Sequence, residues 1–110
     1  DSANPKTPGM LKSHYAPKKK LVIFEDGQFD KEILKYHNPG IIGFGKYVEG
    51  VEEDKQILLS ANANLNEAAK NLFAAMRKLD TSEADIIYAV KFPDEGLGRA
   101  INDRLRRASA

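Results

Sequence analysis

Three stretches of this 110-residue chain carry residue types from which chemistry could be built. The first is Gly96-Leu97-Gly98, which follows an apolar run and opens a helical pattern. A helix start attracts anions because its first N–H groups lack partners. With Arg99 and Arg104 it forms a candidate nucleotide or anion site. The dinucleotide fingerprint, however, needs a third glycine where Ile101 stands, directly after a strand. Asp94 and Glu95 would also repel a phosphate there. The preferred reading is that Gly96 and Gly98 let a helix pack closely on a sheet. The second stretch is acidic: Glu52-Glu53-Asp54, with Asp94-Glu95 further along. Acid–base work needs carboxylates converging in a pocket, with pKa values pushed apart. Neighbours in polar loops are expected to face water instead. The third is His14-Tyr15, inside a proline-punctuated stretch with no core to fill. It reads equally as a ligand or domain contact and as an arbitrary linker. Cysteine is absent and there are two histidines. Disulfides, thiol nucleophiles and cysteine metal sites are therefore excluded, and no metal site is expected. No Ser-His-Asp spacing and no P-loop is present.

The elements that must position these residues follow from periodicity. Pro5, Pro8, Gly9 and Pro17 mark residues 1–20 as an extended segment. It brings little apolar surface to bury and is expected to be unordered on its own. The run Leu21-Val22-Ile23-Phe24 is apolar on consecutive residues, as in a strand buried on both faces. Phe29, Ile33, Leu34 and Tyr36 suggest a short helix from about Asp30 to Tyr36, ended by Asn38-Pro39-Gly40. A second strand is expected at Ile41–Gly45, an acidic loop at 46–54 and a third strand at Ile57–Leu59. From Leu65 to Asp80, apolar residues recur as one helical stripe. Asn64 or Asn66 is placed to cap that helix, with Glu67 in its first turn. Ile86–Val90 reads as a fourth strand and Gly96–Ala108 as a last helix. Short apolar strands alternating with helices imply an α/β layered fold with a mainly parallel sheet. The organisation is a linker over 1–19 and one domain over 20–110.

Length and composition agree. The chain is one domain's worth, 42% hydrophobic and 30% charged. No apolar run approaches the roughly 20 residues of a membrane span, and no signal pattern opens the chain. Beginning at Asp1 without Met, it is expected to be a fragment or a processed product. The net charge of +1 hides an uneven spread, with five Lys against one Asp in residues 1–20 and four Arg against one Asp in 98–110. Global neutrality argues against a dedicated nucleic-acid-binding domain. The Lys18-Lys19-Lys20 run is expected to do no more than solubilise the linker.

Three motifs in order carry a resemblance. Residues 7–17 read Thr-Pro-Gly-Met-Leu-Lys-Ser-His-Tyr-Ala-Pro, similar to the linker signature of two-domain L-threonylcarbamoyladenylate synthases. Asn71-Leu72-Phe73-Ala74-Ala75-Met76-Arg77-Lys78-Leu79-Asp80 resembles a helix of that family's C-terminal domain. Glu95-Gly96-Leu97-Gly98-Arg99-Ala100-Ile101-Asn102-Asp103-Arg104-Leu105 resembles the family's ending. Met76 replaces a commoner Leu. Asn102 replaces an apolar residue, which predicts a less buried helix position there.

The resemblance implies a Rossmann-like three-layer α/β/α sandwich with a mainly parallel sheet of four to five strands. It implies a parent enzyme that condenses threonine, bicarbonate and ATP, with Mg, into threonylcarbamoyl-AMP for tRNA threonylcarbamoyladenosine formation. Catalysis would belong to a YrdC-like N-terminal domain of about 200 residues, a normal domain size. This chain would be the linker plus a non-catalytic accessory domain in the cytoplasm. It would meet tRNA only indirectly and no membrane. By motif position, Pro8, Gly9, Met10, His14, Tyr15 and Pro17 would lie across the mouth of the catalytic pocket as a lid. Two other readings are a nucleotide-binding module using the Gly96-Gly98 helix start and an RNA-contacting domain using the basic ends.

Overall fold

A computed structural model of the chain describes residues 16–110. Strand β1 is Leu21–Phe24, β2 Pro39–Gly43, β3 Gln56–Leu58 and β4 Ile86–Val90; helix α1 is Leu65–Asp80 and α2 Leu97–Ser109. The four strands form one sheet in the order β1-β4-β2-β3. Every pair in it is parallel. The α/β class and the parallel sheet expected from the alternation of elements are what the structure has.

The register explains the burial. Leu21 pairs with Ile87 and Ile23 with Ala89, while Ile42 also lies opposite Ala89. These residues point to one face, where they join Leu72, Met76 and Leu79 of α1 and Ile101 and Leu105 of α2 in the core. Side chains alternate along a strand, so Val22, Phe24, Ile41 and Tyr88 point the other way. That second layer is thin. It is supplied by the connection from β1 to β2, whose Phe29 stands edge-on to Phe24 and to Tyr88, with ring centroids 5.4 Å apart in both cases.

Local differences from the sequence reading have local causes. The helix expected over 30–36 is a 3₁₀ turn, Lys31–Lys35, capped by Asp30, whose side chain accepts from the Glu32 N–H. None of its residues is fully buried, so no packed face sustains a longer helix. Strand β2 begins two residues earlier than expected, at Pro39. Proline is tolerated at the first residue of a strand, where its missing donor matters least. It also ends earlier, because Gly45 has φ +80° and turns the chain. Strand β3 begins one residue earlier, at Gln56.

Helix α1 has the bounds expected, and Asn64 is its cap, accepting from the Glu67 N–H at 2.9 Å. Glu67 in turn accepts from the Ser60 hydroxyl, and Ser60 Oγ accepts from the Asn64 N–H. This relay satisfies the helix start from two sides. Close packing of α1 on β2 depends on Gly40, where an added Cβ would lie 2.7 Å from Leu79 Cδ2.

Candidate functional site

Because all strands run the same way, the sheet has an amino edge and a carboxyl edge, and the two differ in chemistry. At the amino edge the incoming chain is tied to the end of α1. The Lys18 N–H donates to both carboxylate oxygens of Asp80, at 3.1 and 3.2 Å. The Lys19 N–H donates to Asp80 Oδ1 at 3.1 Å. The Lys19 ammonium donates to the carbonyls of Leu79 at 2.8 Å and Ser82 at 2.7 Å. A cation is favoured at this end of a helix, where carbonyls lack partners and the dipole is negative. The expectation that Lys18-Lys19-Lys20 only solubilises the linker therefore needs correction. Its backbone and the Lys19 side chain form a cap whose partners lie about sixty residues away along the chain. Pro17, the last residue of the proline-rich signature, is half-buried just ahead of this clamp. Pro8, Gly9, Met10, His14 and Tyr15 lie outside the described residues.

Beside the clamp, the two oxygens of Asp85 bind separate partners. Oδ1 accepts from the Asn38 N–H at 2.9 Å, and Oδ2 lies 3.1 Å from His37 Nδ1. Partial desolvation raises the Asp85 pKa, but the Asn38 N–H and the His37 ring outweigh it, so the carboxyl sits below its ordinary value.

At the carboxyl edge, the start of α2 does not gather the residues expected of an anion site. Gly96, with φ +52°, precedes the helix. The Gly98 N–H already donates to the Glu95 carbonyl at 2.9 Å and the Arg99 N–H to the Gly96 carbonyl at 3.1 Å. Arg99 is paired with Asp94 at 3.2 Å. Arg104 lies six residues beyond Gly98, about 9 Å along the helix at 1.5 Å per residue. A polyphosphate would find few free donors there and two carboxylates beside it. Gly98 answers a packing need instead, since an added Cβ would lie 1.9 Å from the Pro93 carbonyl oxygen.

Asn102 corrects a second expectation. It is 3% exposed rather than relieved of burial. Its Oδ1 accepts from the Phe92 N–H and its Nδ2 donates to the Phe92 carbonyl, both at 2.8 Å. The side-chain amide stands in for a neighbouring strand and holds the β4–α2 connection.

The same device recurs at Gln56, 7% exposed. Its Oε1 accepts from the Val48 N–H at 2.8 Å, and its Nε2 donates to the carbonyls of Val48 at 3.0 Å and Val51 at 2.9 Å. The loop after β2 is thus fixed by a buried amide rather than by a helix. Sequence reasoning took this stretch as a plain polar loop. The one signal available was a glutamine entering an apolar strand.

These features define a class, an all-parallel α/β domain whose amino edge holds the incoming chain at Lys18 and Lys19. The family described as threonylcarbamoyl-AMP synthase, C-terminal domain, matches residues 1–110, and the chain belongs to it. It is 35% identical over 115 residues to the threonylcarbamoyl-AMP synthase of Pyrococcus abyssi, a match covering 94% of this chain and 32% of that protein. Among solved structures it is similar to P. abyssi Sua5 complexed with L-threonine, with TM-score 0.70, 32% identity, and coverage of 87% of this chain and 29% of that one. It is also similar to a variant of P. abyssi Sua5 in which a histidine and the tyrosine after it are both alanine. There the TM-score is 0.67 and the identity 29%, covering 84% of this chain and 28% of that one. The chain spans about a third of the length of the curated relatives it matches. Among the described residues no helix is long and apolar enough to cross a membrane.

Proposed function

We propose that this chain acts as the accessory, regulatory domain of an L-threonylcarbamoyladenylate synthase. Residues 1–19 serve as an interdomain lid and residues 20–110 as the scaffold that holds it. The catalytic domain, N-terminal to the lid, joins threonine, bicarbonate and ATP into threonylcarbamoyl-AMP and releases pyrophosphate. It takes ATP and Mg for that step, and its product serves tRNA modification in the cytoplasm. This chain supplies no catalytic residue and meets tRNA only through that product.

The observation that carries the reading is the clamp at Lys18, Lys19 and Asp80. A lid must leave its scaffold in a defined direction, or the entropy of ordering it is lost anew at each closure. Fixing two successive backbone N–H groups right after Pro17 sets that direction. Prolines within the segment lower the entropy lost on ordering it. Closure would exclude water from the reacting groups and gate ligand exchange. His14 and Tyr15 are the groups offered to the bound ligand, since both can donate hydrogen bonds to phosphate oxygens. The same two residue types in the same order are replaced in the P. abyssi variant, which supports weighting them above the rest of the segment.

The test is Tyr15→Ala in the full-length enzyme, measured by pyrophosphate release. A changed kcat or ATP KM, with an unaltered melting transition of this domain, is the expected result. Unchanged kinetics would remove the lid.

A further inference from the structure

A cavity of about 430 Å³ opens at the carboxyl edge, lined by residues from the ends of β1, β2 and β4. Its volume lies within the range of small-molecule sites, about 300–1,000 Å³. Its position is the one at which parallel α/β sheets bind ligands. β1 and β4 are neighbours, yet the chain leaving β1 covers one face of the sheet while the chain leaving β4 enters α2 on the other. The two connections diverge and leave a crevice between the strand ends.

The walls suit a flat ring. Phe29 packs edge-on against Phe24 on one side, and Phe44 packs on Phe92 on the other, with ring centroids 4.9 Å apart. Tyr47, at the rim, is 44% exposed and contributes to no core. The polar groups suit a sugar with one phosphate. Asp26 and Lys46 face each other at 3.5 Å. Lys31 and Glu49 line the same cavity and make no ion pair among the described residues. The aliphatic stem of Lys31 rests against Gly50, where an added Cβ would lie 3.3 Å from Lys31 Cδ and Cε. Two cations against two anions make a neutral site that a polyphosphate would not favour. A single phosphate can take the lysines while a carboxylate accepts from sugar hydroxyls. The frame is preorganised, because Gln56 fixes the loop bearing Tyr47, and Asn102 fixes Phe92 behind Phe44.

We infer that this carboxyl-edge cavity is a binding site for a nucleoside monophosphate. The base stacks among Phe29, Phe44 and Tyr47, the sugar meets Asp26 and the phosphate meets Lys31 and Lys46. The site lies at the opposite edge of the sheet from the clamp and does not depend on what the linker does.

The test is an amide NMR titration of this chain with AMP, with adenosine and inorganic phosphate as separate probes. Saturable shifts centred on residues 26–31 and 44–49 are expected, stronger for AMP than for either part. Tyr47→Ala and Lys31→Met, both at exposed positions, should each weaken binding about tenfold while the remaining spectrum is unchanged. No saturable shift with AMP overturns the inference. Shifts confined to Gly96–Arg104 overturn it in favour of the helix start, and phosphate binding as tightly as AMP overturns it in favour of a plain anion site. The lid fails or stands by enzyme kinetics alone, so the two readings are separable.

Discussion

Replacing Asn102 with leucine, a side chain of similar shape, tests what the buried amide contributes. In Asn102→Leu the number of side-chain heavy atoms and their branching are kept, but both hydrogen bonds to the Phe92 backbone vanish. The Phe92 N–H and carbonyl are then buried without partners, at about 1–3 kcal/mol each. Against this stands the gain from burying an apolar side chain at a position 3% exposed, about 1.5–3 kcal/mol if burial were complete. Taking the middle of each range, two orphaned groups cost about 4 kcal/mol and the leucine returns about 2. The net destabilisation is about 2 kcal/mol. In a domain of this size that lowers the melting temperature by about 8–16 °C. Urea unfolding followed by circular dichroism measures it, and an unchanged m-value would show that the unfolded state is not the cause. A variant as stable as the parent would refute the reasoning. It would mean that water reaches Phe92 or that the β4–α2 connection shifts at little cost.

Three further outcomes follow from other contacts. Lys19→Met should cost about 1 kcal/mol, because the carbonyls of Leu79 and Ser82 lose a cation that also opposes the helix dipole; hydrogen exchange should quicken first at the end of α1, and uniform exchange would count against the cap. Gly98→Ala should destabilise by about 2 kcal/mol or more despite the better helix propensity of alanine, since its Cβ would enter the space of the Pro93 carbonyl; a thermal melt decides, and any rise in melting temperature is the contrary result. Asp85 has a depressed folded pKa, so its contribution is present above the ordinary aspartate value of about 3.9 and lost as pH falls through the lower folded value. The stability gap between the parent and Asp85→Asn should therefore be wider at about pH 6 than at about pH 3. An equal gap at both would mean that His37 and Asn38 do not hold the carboxylate.

Much of the secondary structure was legible because it is local. Leu21–Phe24, Leu65–Asp80 and Ile86–Val90 have the bounds that apolar runs and helical spacing predict. The three motifs led to the family because spacing along a chain is itself sequence information. What escaped depends on partners distant in the chain. Nothing in β4 says that it inserts between β1 and β2, because parallel strands buried on both faces look alike in composition. Three polar side chains escape a reading of the sequence for one reason. Lys19, Gln56 and Asn102 each satisfy backbone groups of another element. Their burial or anchoring becomes favourable only once that element is in place. The sequence by itself determined where the four strands and the two α-helices lie and which family the chain belongs to. The tertiary structure alone decided where the incoming chain is tied and where a cavity opens. Those depend on which unpartnered donors and acceptors the packed sheet brings within reach.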